Sequence, residues 1–257
     1  MLNFRNTNIF VAALLLMLLI LNHFYPVPTF AYFIILLIYS FILFYGSYFI
    51  QSNFYIKTIC SAQTNKKQIA ISFDDGPAIN FTPEILQVLK NENIKATFFC
   101  IGKNISGNEK ILHQINNEGH VIGNHSYSHH FWFDLFSSKK MLGDMAFMNE
   151  ITKETIGLTP KLFRPPYGVT NPNLKNAIIK GNYIPIGWNI RSMDTVINDE
   201  EKLLKKITSK IKPGAIILFH DTSKTTLSIL PKFIKYVKTN GYEITRLDKM
   251  LNLKPYA

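Results

Sequence analysis

Three apolar runs in this sequence stop at clusters of residues that could do chemistry. Gln68-Ile-Ala-Ile-Ser-Phe73 ends at the adjacent carboxylates Asp74 and Asp75, and Gly76-Pro77 then supplies a turn. Gly119-His-Val-Ile-Gly-Asn124 runs into His125-Ser-Tyr-Ser-His129, and Ala215-Ile-Ile-Leu-Phe219 runs into His220-Asp221. Two carboxylates at the end of a buried strand are costly unless a metal, a cation or a proton compensates them. One carboxylate and two imidazoles suit a borderline divalent ion and leave positions open for water. Such an ion acidifies water into a usable nucleophile. The other carboxylate can take the proton, and a separate histidine can protonate a leaving amine. That chemistry is metal-assisted hydrolysis of an acyl bond.

Each cluster has a plainer reading. Asp-Asp-Gly-Pro is often only a turn. His125 and His129 face one side only if the segment is locally helical, and His220 alone is an ordinary strand-edge histidine. Asp221 is read as the cap of the following turn, and Arg164-Pro-Pro-Tyr-Gly168 as a stiff loop. Their shared place at strand ends favours function.

The elements that must position these residues alternate. Strands are expected at 68–73, 95–101, 119–124, 161–164, 183–189, 214–220 and 242–247. Helices are expected at 82–92, 108–118, 138–156, 172–180, 199–212 and 226–239. Alternation of this kind implies a mainly parallel sheet, open or closed as a barrel, with functional groups gathered at the strands' carboxyl ends. Cys100 reads as a buried core thiol, and with Cys60 it offers no disulfide framework.

The N-terminal part differs. Residues 1–57 hold no Asp or Glu and only Arg5 and Lys57 as cations, whereas 58–257 carry 26 cations against 17 acids, a net of +9. Apolar helices at about 9–25 and 30–50, joined through Pro26-Val-Pro28, predict a two-helix membrane hairpin. Tyr45, Tyr48, Phe54 and Tyr55 are its expected interfacial anchors. Cations at both ends and none in the link place the ends, and the rest of the chain, on the cytoplasmic side of an inner membrane. If the first run does not span, the domain lies outside. The lysine-rich stretches Glu200–Lys212 and Lys224–Lys238 are solvated faces by default, or a basic face that holds a barrel mouth near anionic lipid. No Arg-rich, aromatic-interleaved stripe supports a nucleic-acid partner.

Ser72-Phe-Asp-Asp-Gly76, His125-Ser-Tyr-Ser-His129, Arg164-Pro-Pro-Tyr-Gly168 and Leu218-Phe-His220 resemble, in order, the motifs of the NodB-homology polysaccharide deacetylases. These are the carbohydrate esterases that remove N-acetyl groups from amino sugars. The resemblance covers about residues 66–250. It implies a distorted (β/α) barrel of parallel strands at 68–257, after a membrane anchor at 1–57 and a connector at 58–67. It implies Asp75, His125 and His129 on the metal, zinc foremost, with cobalt, manganese and nickel as alternatives. Asp74 is then the base, His220 the acid, Arg164 the residue orienting the catalytic carboxylate, and Asp194 the residue steadying the acid histidine. Pro166, Tyr167, Trp188 and Leu218 fall on the substrate side, with the backbone N–H near Tyr167 facing the oxyanion.

One motif departs from the family pattern. In Trp188-Asn-Ile-Arg-Ser-Met-Asp-Thr195, Arg191 replaces an aspartate and Thr195 replaces the tryptophan that walls the acyl pocket. The expected substrate is an N-acylated amino sugar, carried by a polysaccharide or by a polyprenyl phosphate, and the changed pocket suits the lipid-linked form. Two rivals stand beside this reading. A non-catalytic, membrane-anchored sugar- or lipid-binding relative has no use for Asp74 and His220. An iron oxygenase shares the ligand set but gives the spare Asp74 no role.

Overall fold

The computed structural model describes residues 2–257. The chain begins with two apolar helices, α1 (Phe4–Phe24) and α2 (Thr29–Tyr48). The barrel follows as β1 (Gln68–Asp74), α3 (Thr82–Asn91), β2 (Thr97–Cys100), α4 (Gly102–Ile105), α5 (Glu109–Asn117) and β3 (Val121–Asn124). It continues through α6 (Ser138–Ile156), β4 (Leu162–Phe163), α7 (Pro172–Lys180), β5 (Ile184–Pro185), β6 (Ile190–Arg191) and α8 (Glu200–Thr208). It ends with β7 (Ala215–His220), α9 (Lys224–Thr239), β8 (Glu243–Ile244) and α10 (Leu247–Leu251).

All strand pairs are parallel, in the order β5-β4-β3-β2-β1-β7-β6, with β8 added beside β1. Side chains alternate across a strand. In β1, Ile69, Ile71 and Phe73 therefore pack under the helices, and Ala70, Ser72 and Asp74 point to the other face. In β7, Ile217 and Phe219 face the helices, leaving Leu218 and His220 inward. Phe73 stacks between Phe98 and Phe219 at centroid distances of 5.0 and 5.9 Å, which fixes the register under the site.

The strand expected over 183–189 is instead the two short strands β5 and β6, the two edges of the sheet. The cause lies in the segment before β1. Ile59 N–H donates to the Pro185 carbonyl at 3.0 Å, and Gly187 N–H donates to the Ile59 carbonyl at 2.9 Å. The stretch after Pro185 therefore bonds to residue 59 on one side, while Ile186 N–H still donates to the Phe163 carbonyl of β4 at 2.8 Å. Only glycine allows this approach, since a Cβ at Gly187 would meet Cys60 Sγ at 2.6 Å.

The Asn3 side chain accepts from Asn6 N–H, so α1 starts at Phe4 rather than near residue 9. Both helices are long and apolar enough to cross a membrane, and each is only 6% buried over its most apolar window. The foot of the hairpin is docked on the barrel. Thr170 N–H donates to the Ser47 carbonyl at 3.1 Å, Ser47 Oγ donates to the Thr170 carbonyl at 2.8 Å, and Phe4 N–H reaches the Phe54 carbonyl at 3.1 Å. Phe54 and Tyr55 are buried against the domain, 3% and 8% exposed, and so do not serve as interfacial anchors, whereas Tyr45 and Tyr48 are exposed. Local sequence marks aromatic residues as anchors, but docking has turned these two inward.

The expected basic face at the barrel mouth is also corrected. Each barrel helix runs back against its strand, which carries the later lysines of α9 to the strands' amino-terminal end. Lys238 Nζ meets Glu92 Oε2 at 2.6 Å just beyond the C-terminus of α3, and Lys232 and Lys235 line the same shallow groove. Lys206 is used internally, donating to the Arg191 and Ser192 carbonyls at 2.7 and 3.0 Å.

Candidate active site

The carboxyl ends of β1, β3, β4, β6 and β7 meet around one cavity of about 290 Å³. Asp74 lies level with Phe99 and with His220, and Asn124 lies level with Phe163. Asp74, Asp75, His125, His129, Tyr167, Trp188, Leu218 and His220 all line the cavity, together with Arg191 and Thr195. Arg164 and Asp194 stand behind this wall, fully buried. Pro165, rather than Pro166, is on its surface.

Asp75, His125 and His129 each offer one atom, all within 4.8 Å of one another. Asp75 Oδ1 is 3.5 Å from Nε2 of both histidines, is buried, and receives no hydrogen bond. His125 Nδ1 lies 2.8 Å from the Arg164 carbonyl. A carbonyl only accepts, so Nδ1 carries the proton and Nε2 presents its lone pair to Asp75. Burial pushes the Asp75 carboxyl up, but the neighbouring His125, with His220 and His129 beyond, holds it well below the usual carboxylate range. Burial and the neighbouring His125 lower His129 to about 4. An orphaned buried oxygen between two neutral-capable imidazoles fits a divalent cation such as zinc.

Asp74 is compensated differently. Arg164 Nη1 donates to Asp74 Oδ1 at 2.7 Å and to Ser72 Oγ at 2.8 Å, Nη2 donates to the Gly187 carbonyl at 2.9 Å, and Nε to the Ile186 carbonyl at 3.4 Å. The guanidinium lies 4.1 Å from the Phe99 ring centroid. A buried charge is tolerated when it is paired and its donors are used, and Arg164 meets both conditions. Asp74 Oδ2 is left 3.7 Å from His125 Nε2, at the cavity wall.

On the opposite wall, His220 Nδ1 lies 2.7 Å from Asp194 Oδ1, and His220 N–H donates to Asp194 Oδ2 at 2.7 Å. Ser192 Oγ donates to Asp194 Oδ1 at 2.7 Å, and Thr226 Oγ1 donates to Oδ2. Burial lowers the His220 pKa, but the Asp194 hydrogen bond and charge override it and raise the group to about 9. His220 therefore lines the cavity as a ring held toward its charged form.

The backbone bends to make this arrangement. Among the described residues, nine that are not glycine have positive φ, and four of them are asparagines, which tolerate that region. The other five, Asp75, Ser126, His129, Tyr167 and Met193, all lie in the loops of this site. Such conformations persist only where surroundings over-determine them. Asn104 Nδ2 donates to the Asp75 carbonyl at 2.8 Å, and Asp144 Oδ1 accepts from Tyr127 and Ser128 N–H at 2.8 and 3.2 Å. Gly168 (φ +74) lets its loop pass Trp188, where a Cβ would sit 2.5 Å from the indole.

The roles of Ser72, Ser192, Thr226, Asn104 and Asp144 were not read from the sequence. Ser72 and Ser192 carried a signal, each two residues before an aspartate of the site. Asp221 is not a cap: Ser223 caps α9, while Asp221 is buried and accepts from Thr82 Oγ1 at 2.6 Å. A Cβ at Gly76 would overlap its carboxylate.

Residues 61–184 match the sequence profile described as polysaccharide deacetylase. A peptidoglycan-N-acetylglucosamine deacetylase of Bacillus cereus is 34% identical over 194 residues, 74% of this chain and 70% of that protein. The crystal structure of the Bc1960 peptidoglycan N-acetylglucosamine deacetylase superposes with a TM-score of 0.73 at 32% identity, over 78% of this chain and 95% of that one. BA3943 of Bacillus anthracis, described as a pseudoenzyme of carbohydrate esterase family 4, superposes with a TM-score of 0.71 at 26% identity, over 76% of this chain and 69% of that one.

Proposed function

The chain belongs to the polysaccharide deacetylase family, and from that membership we propose that it is a metal-dependent hydrolase removing an N-acyl group, N-acetyl foremost, from an amino sugar of a glycan at a membrane. Asp75, His125 and His129 would hold the divalent ion, zinc foremost, which when bound supplies an acidified water and a Lewis acid for the acyl oxygen.

The remaining work falls to the protein's own groups. Asp74, held by Arg164 through Oδ1, takes the attacking water's proton on Oδ2. The Tyr167 N–H, in its left-handed turn at the cavity wall, donates to the oxyanion as the new carbon–oxygen bond forms. His220 gives its Nε2 proton to the amide nitrogen as the carbon–nitrogen bond breaks, releasing a free amine and a carboxylate. Asp194 keeps the ring oriented and charged.

The observation that carries this reading is the contrast at the end of β1, where Asp74 has a complete cationic partner and Asp75 has an empty acceptor between two imidazoles. BA3943 makes a non-catalytic relative a real alternative. Here Asp74 and His220 both line the cavity with their supports Arg164 and Asp194 in hydrogen-bonding position, which favours turnover.

We also read residues 1–57 as an anchor of two spans in the inner membrane, 58–67 as a connector and 68–257 as the catalytic domain, on the cytoplasmic side by the charge distribution. The low burial of α1 and α2 argues against soluble core helices, and the docked foot of the hairpin argues against a removable leader.

The test uses the full chain in detergent, stripped of metal and reloaded with zinc, with acetate release from N-acetylated amino sugars as readout. Release should need zinc, and Asp74→Asn should lower it by about 10²–10⁴-fold while zinc still binds. A zinc-loaded wild type that releases nothing from any amino sugar would overturn the reading.

A further inference from the structure

Next to the catalytic cavity lies a larger one of about 590 Å³. One side is built by Tyr45, Tyr48 and Phe49 at the end of α2, and the other by Trp188 and Arg191 of the barrel. Trp188 and Arg191 line both cavities, so one ligand can lie across them. The far end of the groove is the last turn of a helix with the length and hydropathy of a membrane span.

Arg191 is the cation of this groove. Its guanidinium lies 5.8 Å from the Trp188 ring, and among the described residues no carboxylate lies within ion-pair distance of it. Lys206 holds its carbonyl and so fixes the strand end from which the side chain projects. A guanidinium fork suits a phosphate. The rim formed by residues 131–135 also stands on the hairpin's side. Phe133 packs with Phe54 and Tyr55 at the hairpin's foot, while Phe131, Trp132 and Leu135 remain 67%, 55% and 70% exposed. With the hairpin read as the membrane anchor, the mouth opens beside the bilayer, and its one unpaired cation stands between the sugar-sized cavity and α2.

We propose that this groove binds the phosphate and first lipid segment of a glycolipid whose N-acylated amino sugar occupies the catalytic cavity. The sugar half rests on the deacetylase reading and the lipid half on the anchor reading; the cationic groove that joins them is geometry. In a lipid-phosphate glycoside the anion is attached directly to the sugar, as a cation shared by both cavities requires. A long polymer would need both sides of the sugar open, and α2 walls one of them. The replacement of the family's aspartate by Arg191 is what this substrate demands, because a carboxylate there would repel the phosphate.

The test measures equilibrium binding of farnesyl phosphate to the full chain in zwitterionic micelles, with farnesol and inorganic phosphate as controls. Farnesyl phosphate should bind at least tenfold more tightly than either control. Arg191→Gln should weaken it at least tenfold, and Gln51→Glu, an exposed groove position, should do so by charge repulsion. Affinities unchanged in both variants, or inorganic phosphate binding equally well, would overturn the proposal. A second arm compares acetate release from a farnesyl-phosphate-linked N-acetylhexosamine and from a soluble oligomer, and Arg191→Gln should cut the ratio of their kcat/KM values at least tenfold. An unchanged ratio likewise counts against the groove. Binding without release from either substrate would leave the groove standing and sink the deacetylase reading instead.

Discussion

Asp194 accepts hydrogen bonds from the His220 ring and amide, from Ser192 and from Thr226, whereas Asp75 across the cavity has a buried oxygen with no donor at all. Both are carboxylates in the same low-dielectric mouth, so the difference lies in where compensation comes from. The Asp194 wall is complete within the fold and needs nothing further to keep His220 charged. The Asp75 wall is left incomplete at some backbone cost, since Asp75, Ser126 and His129 all sit at positive φ. Desolvation makes an orphaned carboxylate oxygen unfavourable. On the proposed reading, a wall that keeps one is arranged for a cation from outside, and a wall that keeps none is arranged to hold and hand over a proton.

Breaking the incomplete wall should have the largest effect. His125→Ala removes one imidazole and the Nδ1 contact that orients it. Acetate release should fall by about three orders of magnitude or more. Equilibrium dialysis should show zinc binding lost in parallel. If zinc stays bound at wild-type affinity, the three residues are not its ligands and the contrast between the walls collapses.

Breaking the complete wall should cost less and leave the metal in place. Asp194→Asn should slow release by about 10²-fold while zinc affinity holds. Its signature is in the pH profile. With Asp194 present, His220 stays protonated to about pH 9, so the basic limb of the wild-type profile falls there. Without the carboxylate, burial is opposed only by the charges of Asp74 and Asp75, and the limb should move down from about 9 toward the ordinary value of 6.5. Folding is linked the same way: His220 is raised in the native state, so its contribution is full below pH 6.5 and is lost as pH rises through about 9. Chemical denaturation of both proteins at pH 6 and pH 10 checks this, and a gap that does not shrink at pH 10 would contradict it.

The two walls were not equally readable in the sequence. Asp74-Asp75, His125, His129 and His220 announce themselves because each ends an apolar run, and strand periodicity then sends Asp74 and His220 to the inward face. The alternation of strand and helix gave away the barrel for the same local reason. What local pattern could not convey is pairing across distant segments. Arg164 reads as a loop arginine, yet it is fully buried because Ser72 and the adjacent Ile186 and Gly187 converge on it from two separate stretches. Thr226 serves Asp194 from the next helix, and residue 59 divides β5 from β6, with no trace of either in the nearby sequence. Phe54 and Tyr55 look like membrane anchors until the hairpin's docking is known.

The smallest expected effect lies at the rim, where Thr195 is exposed at the cavity edge and belongs to neither set of polar contacts. A large side chain here would narrow the acyl side of the cavity without touching the cation wall or the Asp194 wall. Thr195→Trp should therefore leave zinc binding and the basic pH limb as they are, and change acetyl release by less than about tenfold. Discrimination is where it should act. One methylene in a confined apolar pocket is worth about 1–3 kcal/mol, so the preference for N-acetyl over N-propionyl should rise by about tenfold or more. Competing the two substrates in one reaction measures that ratio directly. A ratio that does not move would mean the acyl group lies elsewhere, which would put the acyl pocket, and with it the placement of the sugar between the two walls, in need of revision.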